Sequence, residues 1–139
     1  MSPHLAAELA GTPIDPAALR AAVATAAEGN DAVLVEGVGG LLVPLAPGYD
    51  VRALAADLGL PLVVAARPGL GTINHTLLTL EAARAAGLRV AAVVLTPWPA
   101  EPSVIERSNR DTLAAHAPTF TLARDGEATA LPVASWLGA

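Results

Sequence analysis

The chain has 139 residues, 53% of them hydrophobic and only 3% aromatic, with a formal charge of −5 from 8 Lys+Arg against 13 Asp+Glu. That length allows one domain at most, the mean hydropathy of +0.51 excludes a disordered chain, and an acidic balance without a basic run excludes a nucleic-acid or anionic-lipid surface. The absence of cysteine excludes a disulfide framework and a thiolate metal site. No apolar stretch nears the roughly 18 residues of a membrane span. The start, Met1-Ser2-Pro3-His4, shows no basic segment followed by an apolar one, so no signal peptide and a cytoplasmic location are expected.

In chain order, Asp15-Pro16 reads as an N-cap followed by proline at the first helical position, predicting a helix to about Ala27. Ala32-Val33-Leu34-Val35 is a short continuous aliphatic run, the pattern of a strand buried on both faces of a parallel sheet. Asp50 is placed to cap a short helix, Val51 to about Leu58, and Leu62–Ala66 reads as a second buried strand. Pro68-Gly69-Leu70-Gly71 predicts a loop, with Thr72 capping a helix from Ile73 to about Ala86. Ile73, Leu77, Leu80 and Ala83 recur at three to four residues and predict the face laid on the sheet. Gly87 stops that helix, and Val90–Leu95 predicts a third strand. Ser103 and Glu106 form a capping box that opens a helix to about Ala115. A short strand near Phe120–Leu122 and a terminal helix around Leu131–Leu137 complete the reading.

Alternation of this kind implies an α/β fold, a parallel sheet with helices on both faces and right-handed crossovers. Ligands of such folds bind at the carboxyl ends of the strands. Glu36 sits there, a carboxylate directly after an apolar run and before Gly37-Val38-Gly39-Gly40. Mg²⁺ needs only one or two protein carboxylates when phosphate oxygens and waters complete its shell. Spacing alone admits a second reading, a solvent-exposed strand end followed by a turn.

Gly69-Leu70-Gly71-Thr72-Ile73-Asn74 joins a strand to a helix start, where free N–H groups and the helix dipole favour an anion. A tight turn with a threonine cap fits the same residues. The segment contains no Gly-Lys-Ser/Thr and is not a phosphate-binding P-loop. His75 reads as a structural hydrogen-bonding residue, and Asn74-His75-Thr76 as a chance glycosylation match. Trp98 and Trp136 read as packing residues, and Arg107 and Arg110 as a solvated helix face.

Glu36-Gly37-Val38-Gly39-Gly40-Leu41-Leu42-Val43-Pro44-Leu45 resembles the Glu-Gly-Ala-Gly-Gly-…-Pro signature of dethiobiotin synthetases. Leu70-Gly71-Thr72-Ile73-Asn74-His75-Thr76-Leu77-Leu78-Thr79 resembles a second family segment in the same order, and Ser2-Pro3-His4 the stretch before this half. Together the resemblance covers nearly all of the chain up to Leu95. It implies a P-loop NTPase-like fold, incomplete at its N-terminal side, with residues 1–139 a single partial domain.

It also implies a reaction, the ATP- and Mg²⁺-dependent closure of 7,8-diaminopelargonate and CO₂ to dethiobiotin in biotin synthesis, carried out by a homodimer. By the resemblance Glu36 is a Mg²⁺ ligand, and Gly37, Val38 and Gly39 lie along nucleotide and substrate. Leu70, Gly71, Thr72 and Asn74 hold the distal carboxylate of the substrate across the dimer interface. Thr96-Pro97 stands where many members carry an Asn that reads the adenine edge, and proline offers no side-chain donor or acceptor. Backbone near Leu122–Arg124 falls where members contact the base.

The family begins with a strand, a P-loop and a second lysine-bearing strand, on the order of 80 residues at about 30 per βαβ unit. The 139 residues contain no lysine, so no catalytic residue is assigned in this chain and the chain alone is expected to be inactive. A non-catalytic dimerisation or ligand-binding module derived from the family is the alternative expectation.

Overall fold

Proline at the first helical position, where its missing N–H costs nothing and its fixed φ suits the turn, opens both N-terminal helices of the computed structural model, α1 (Pro3–Ala10) and α2 (Pro16–Ala27). The structure describes residues 1–127, 129 and 131–137. The chain divides into two compact units, Met1–Leu60 and Pro61–Ala139, each with its own packing.

In the first unit, α1 was not expected; it ends on Gly11 in the left-handed region. The Asp15 side chain caps α2 by accepting from the Ala17 N–H at 2.8 Å. Pro44–Ala46 (β1) and Tyr49–Asp50 (β2) form an antiparallel ribbon turned at Pro47-Gly48, and Leu45 on β1 is buried. Asp50 caps α3 (Val51–Leu58) as expected, its Oδ1 accepting from the Ala53 N–H at 2.7 Å. Gly59, at φ 63°, closes α3. Asp57 Oδ2 joins three elements by accepting from Arg20 Nη1 and from the Tyr49 hydroxyl, both at 2.8 Å. Burial first, then the bond to Asp57, pushes the Tyr49 phenol above its usual value.

The strand expected over Ala32–Val35 is not formed. Residues 32–37 are irregular, with no ladder partner among the described residues, and Leu34 is 93% exposed. An aliphatic run becomes a parallel strand only through the hydrogen bonds of a neighbour, and none is in place here.

The second unit is a parallel three-stranded sheet in the order β3-β4-β5, with β3 Leu62–Ala66, β4 Val90–Trp98 and β5 Thr119–Ala123. Alternate residues of β4 serve opposite faces. Val93 and Leu95 pack with Leu80 of α4 (Thr72–Ala85) and Leu113 of α5 (Val104–Ala114). Ala92 and Val94 meet Trp136 of the short α6 (Val133–Trp136) on the other face. The small Ala91 and Ala92 leave room for the indole, which lies 5.5 Å from the Phe120 ring at 56°, a tilted aromatic pair. Helices therefore cover both faces, as the sequence implied.

The buried stripe of α4 is Thr72, Thr76, Leu80 and Ala83, with Leu77 packed beside it. Ile73, expected on that stripe, is only half-buried. Helix α4 begins one residue earlier than predicted, so Gly71 rather than Thr72 is the N-cap. The Thr72 hydroxyl instead lies 3.5 Å from that of Thr76 inside the packing.

Candidate functional site

Glu36 is exposed and, without the expected strand before it, stands in irregular chain rather than at a strand end. Among the described residues no group of three or more His, Cys, Asp or Glu could hold a metal. A one-carboxylate Mg²⁺ site remains chemically compatible with Glu36, because the other ligands would be phosphate oxygens and waters.

The glycines after it are structurally demanded. A Cβ on Gly37 would lie 2.9 Å from Val51 Cγ1. Gly39 has φ 80°, and a Cβ there would lie 2.9 Å from Val43 Cγ2. The turn is tied to the start of α3 by Arg52 N–H donating to Leu41 O at 2.8 Å and Val51 N–H donating to Val43 O at 3.1 Å. Gly37, Val38 and Gly39 are thus exposed residues that bend into the Gly40–Val43 turn, closed by Val43 N–H donating to Gly40 O at 3.0 Å.

In the other unit, Leu70, Gly71, Thr72 and Asn74 follow β3, and Thr96 and Pro97 lie at the end of β4. The register Ala66↔Leu95 puts both groups at the carboxyl edge of the sheet. Trp98↔Ala123 brings Leu122–Arg124 to the same edge. The Thr96–Pro97 peptide bond is cis; Thr96 is half-buried and Pro97 exposed. Trp98 packs partly into the core, and the Arg110 guanidinium lies 5.9 Å from its ring centre. Arg110 is therefore half-buried over an aromatic face, not the wholly solvated residue expected. The exposed Arg107 donates to Pro102 O.

Gly71, at φ 90°, makes the sharp entry into α4. Leu70 beside it is 99% exposed. Thr72 N–H donates to Gly69 O at 3.3 Å and His75 N–H to Gly71 O at 3.1 Å. Among the described residues the N–H groups of Ile73 and Asn74 have no acceptor, as at any helix start. A shallow groove of about 440 Å³ runs along Leu70, Ile73, Asn74, Leu77, Glu81 and Asn109.

Sequence reasoning missed Asn109. This residue of α5 is buried, and its Nδ2 donates to Pro68 O at 2.8 Å and to Gly69 O at 3.2 Å. Its only signal in the sequence is a polar residue four before the buried Leu113, on the inward face of an otherwise polar helix.

The sequence profile of the AAA domain family matches residues 1–124. The chain belongs to this family. The chain is 46% identical over 133 residues to a protein of Mycobacterium marinum named ATP-dependent dethiobiotin synthetase BioD, covering 92% of the chain and 58% of the relative. A Rhodococcus jostii protein of the same name is 47% identical over 121 residues, 83% of the chain and 51% of the relative. Another, from Mycolicibacterium vanbaalenii, is 52% identical over 86 residues, 61% of the chain and 38% of the relative. The chain thus spans roughly half the length of the curated relatives it matches. No helix among the described residues is long and apolar enough to cross a membrane.

Proposed function

We propose that the chain is the ligand-orienting portion of an ATP-dependent dethiobiotin synthetase, which joins CO₂ to 7,8-diaminopelargonate and closes the cyclic urea. The supporting observation is 46% identity over 92% of the chain to a protein of that name. In the reaction one amine takes up CO₂ as a carbamate, ATP phosphorylates the carbamate oxygen, and the second amine displaces phosphate to close the ring.

The Pro68–Asn74 loop suits the distal carboxylate of the substrate. Its exposed N–H groups at a helix start offer donors and a positive dipole end to an anion. Gly37, Val38 and Gly39 present backbone to nucleotide and substrate, and Thr96, Pro97 and Leu122–Arg124 form the edge assigned to the base. Because Pro97 has no donor or acceptor, adenine recognition there falls to the Thr96 hydroxyl and to backbone. Glu36 would hold Mg²⁺, which when bound neutralises phosphate charge during transfer. The phosphate-clamping lysine is assigned to the part of the longer relatives that this chain does not span, since these 139 residues contain no lysine. Action as a homodimer in the cytoplasm belongs to the same proposal.

Isothermal titration of the purified chain with 7,8-diaminopelargonate and, separately, with Mg-ATP tests the assignment. Binding of diaminopelargonate with weak or no binding of Mg-ATP is expected. Tight Mg-ATP binding would overturn the account of the nucleotide site, and no diaminopelargonate binding would overturn the assignment of the loop.

A further inference from the structure

We infer that Asn109 is a positioning residue that aims the backbone N–H groups of the Gly69–Leu70 loop at an anionic ligand; this rests on the carboxylate reading of that loop.

Asn109 is 8% exposed and reaches across from α5 to the chain between β3 and α4. The two amide hydrogens on its one nitrogen serve two successive carbonyls, Pro68 O at 2.8 Å and Gly69 O at 3.2 Å. Both acceptors are carbonyls, so the facing atom of the side-chain amide must be the donor nitrogen. In a trans peptide the carbonyl and the following N–H point to opposite sides of the chain, and neither of these two peptide bonds is cis. With the Pro68 and Gly69 carbonyls turned toward α5, the N–H groups of Gly69 and Leu70 are turned away from it. Neither has an acceptor among the described residues.

Successive N–H groups with a common direction make an anion-binding concavity, and the N–H groups of Ile73 and Asn74, also without an acceptor among the described residues, follow a few residues later at the start of α4. Asn109 thereby performs two tasks. It orients donors outward, and it draws inward the Pro68 carbonyl and, together with the Thr72 N–H, the Gly69 carbonyl, so that neither dipole faces a carboxylate. Aspartate in its place would keep the shape but present acceptors to acceptors.

The test compares the chain with Asn109→Asp, Asn109→Ser and Asn109→Leu. Titration uses 7,8-diaminopelargonate and its methyl ester, which lacks the carboxylate charge and adds one methyl group. The wild-type chain is expected to favour the acid, and the preference is expected to fall about tenfold in the Asp and Leu variants, the effect of losing one oriented charge contact. Asn109→Ser, which retains one donor, is expected to lie between them. A general loss of structure would weaken acid and ester equally and leave the ratio unmoved.

Backbone ¹⁵N relaxation is the second measurement and needs no ligand. Order parameters at residues 69–71 are expected to drop in Asn109→Leu while α4 and β4 stay rigid. Variants that keep the wild-type acid-to-ester ratio, or a loop equally ordered without Asn109, would overturn the role of Asn109 alone. A wild-type chain with no preference for the acid would overturn the carboxylate reading of the loop, and the role of Asn109 with it.

Discussion

Individual residues in the first unit carry sharply different loads. Gly37 and Gly39 face side chains at 2.9 Å, and Gly39 also holds a backbone angle that other residues adopt at a cost. Gly40 has nothing within 4 Å of an added Cβ. Gly37→Ala and Gly39→Ala are therefore expected to destabilise the unit by about 1–3 kcal/mol each, while Gly40→Ala is near neutral, as measured by urea denaturation. Tyr49 supplies a pH test at the same scale. Its phenol is raised from the ordinary 10.0, so the folded state holds that proton more tightly than the unfolded chain. The resulting stability is fully present below about pH 10 and is lost as pH rises through the folded value. Thermal melts between about pH 8 and about pH 11 should show this alkaline decline in the wild type. In Tyr49→Phe, which keeps the ring but not the hydroxyl, that component should be absent.

Among the elements, α5 is the best specified locally and the most consequential. Its capping box is complete, with Ser103 N–H donating to Glu106 Oε2 at 2.6 Å and Ile105 N–H donating to Ser103 Oγ at 3.2 Å. Bonds from the Ser103 side chain and backbone hold the Glu106 carboxyl below its usual 4.5. That contribution is present above about pH 4.5 and is lost as pH falls through the folded value. Helical circular dichroism should decline on acidification more in the wild type than in Glu106→Gln, which already lacks the charge. Ser103→Ala is expected to cost about 1 kcal/mol. The same helix buries Leu113 completely against Leu80, Val93 and Leu95. Leu113→Ala is expected to cost about 2–5 kcal/mol, seen as a fall in melting midpoint and a looser Asn109 contact.

For the whole molecule, the described residues leave much apolar surface in water, including Leu34 at 93%, Leu70 at 99% and Val63 at 42% exposure. Among the described residues β3 has a ladder partner only on the side of β4, so its other edge and the exposed Val63 invite association. The isolated chain is expected to associate through these surfaces as its concentration rises; a monomer at every concentration in sedimentation would contradict this. Joined to the part of the Mycobacterium marinum relative outside the 133 matched residues, the chain should form dethiobiotin from diaminopelargonate, bicarbonate and Mg-ATP. The chain alone should form none.

The sequence by itself determined the helices whose ends carry local chemistry. Asp15-Pro16, Asp50 and the Ser103–Glu106 box all cap helices at the expected positions, because capping is settled within four residues. The strands Leu62–Ala66 and Val90–Leu95 and the glycine segments were legible for a similar reason, dense aliphatic runs bounded by turn residues. Tertiary structure alone decided the rest. Ala32–Val35 has the composition of a strand, yet strand state depends on a partner whose position no local pattern encodes. The stripe of α4 runs through Thr72 and Thr76 rather than Ile73, and the hydroxyls of the two threonines, 3.5 Å apart, partner each other in the interior. Asn109 was invisible beforehand because its partners, the carbonyls of Pro68 and Gly69, lie about 40 residues away in sequence. A buried amide declares its purpose only when folding brings acceptors to it.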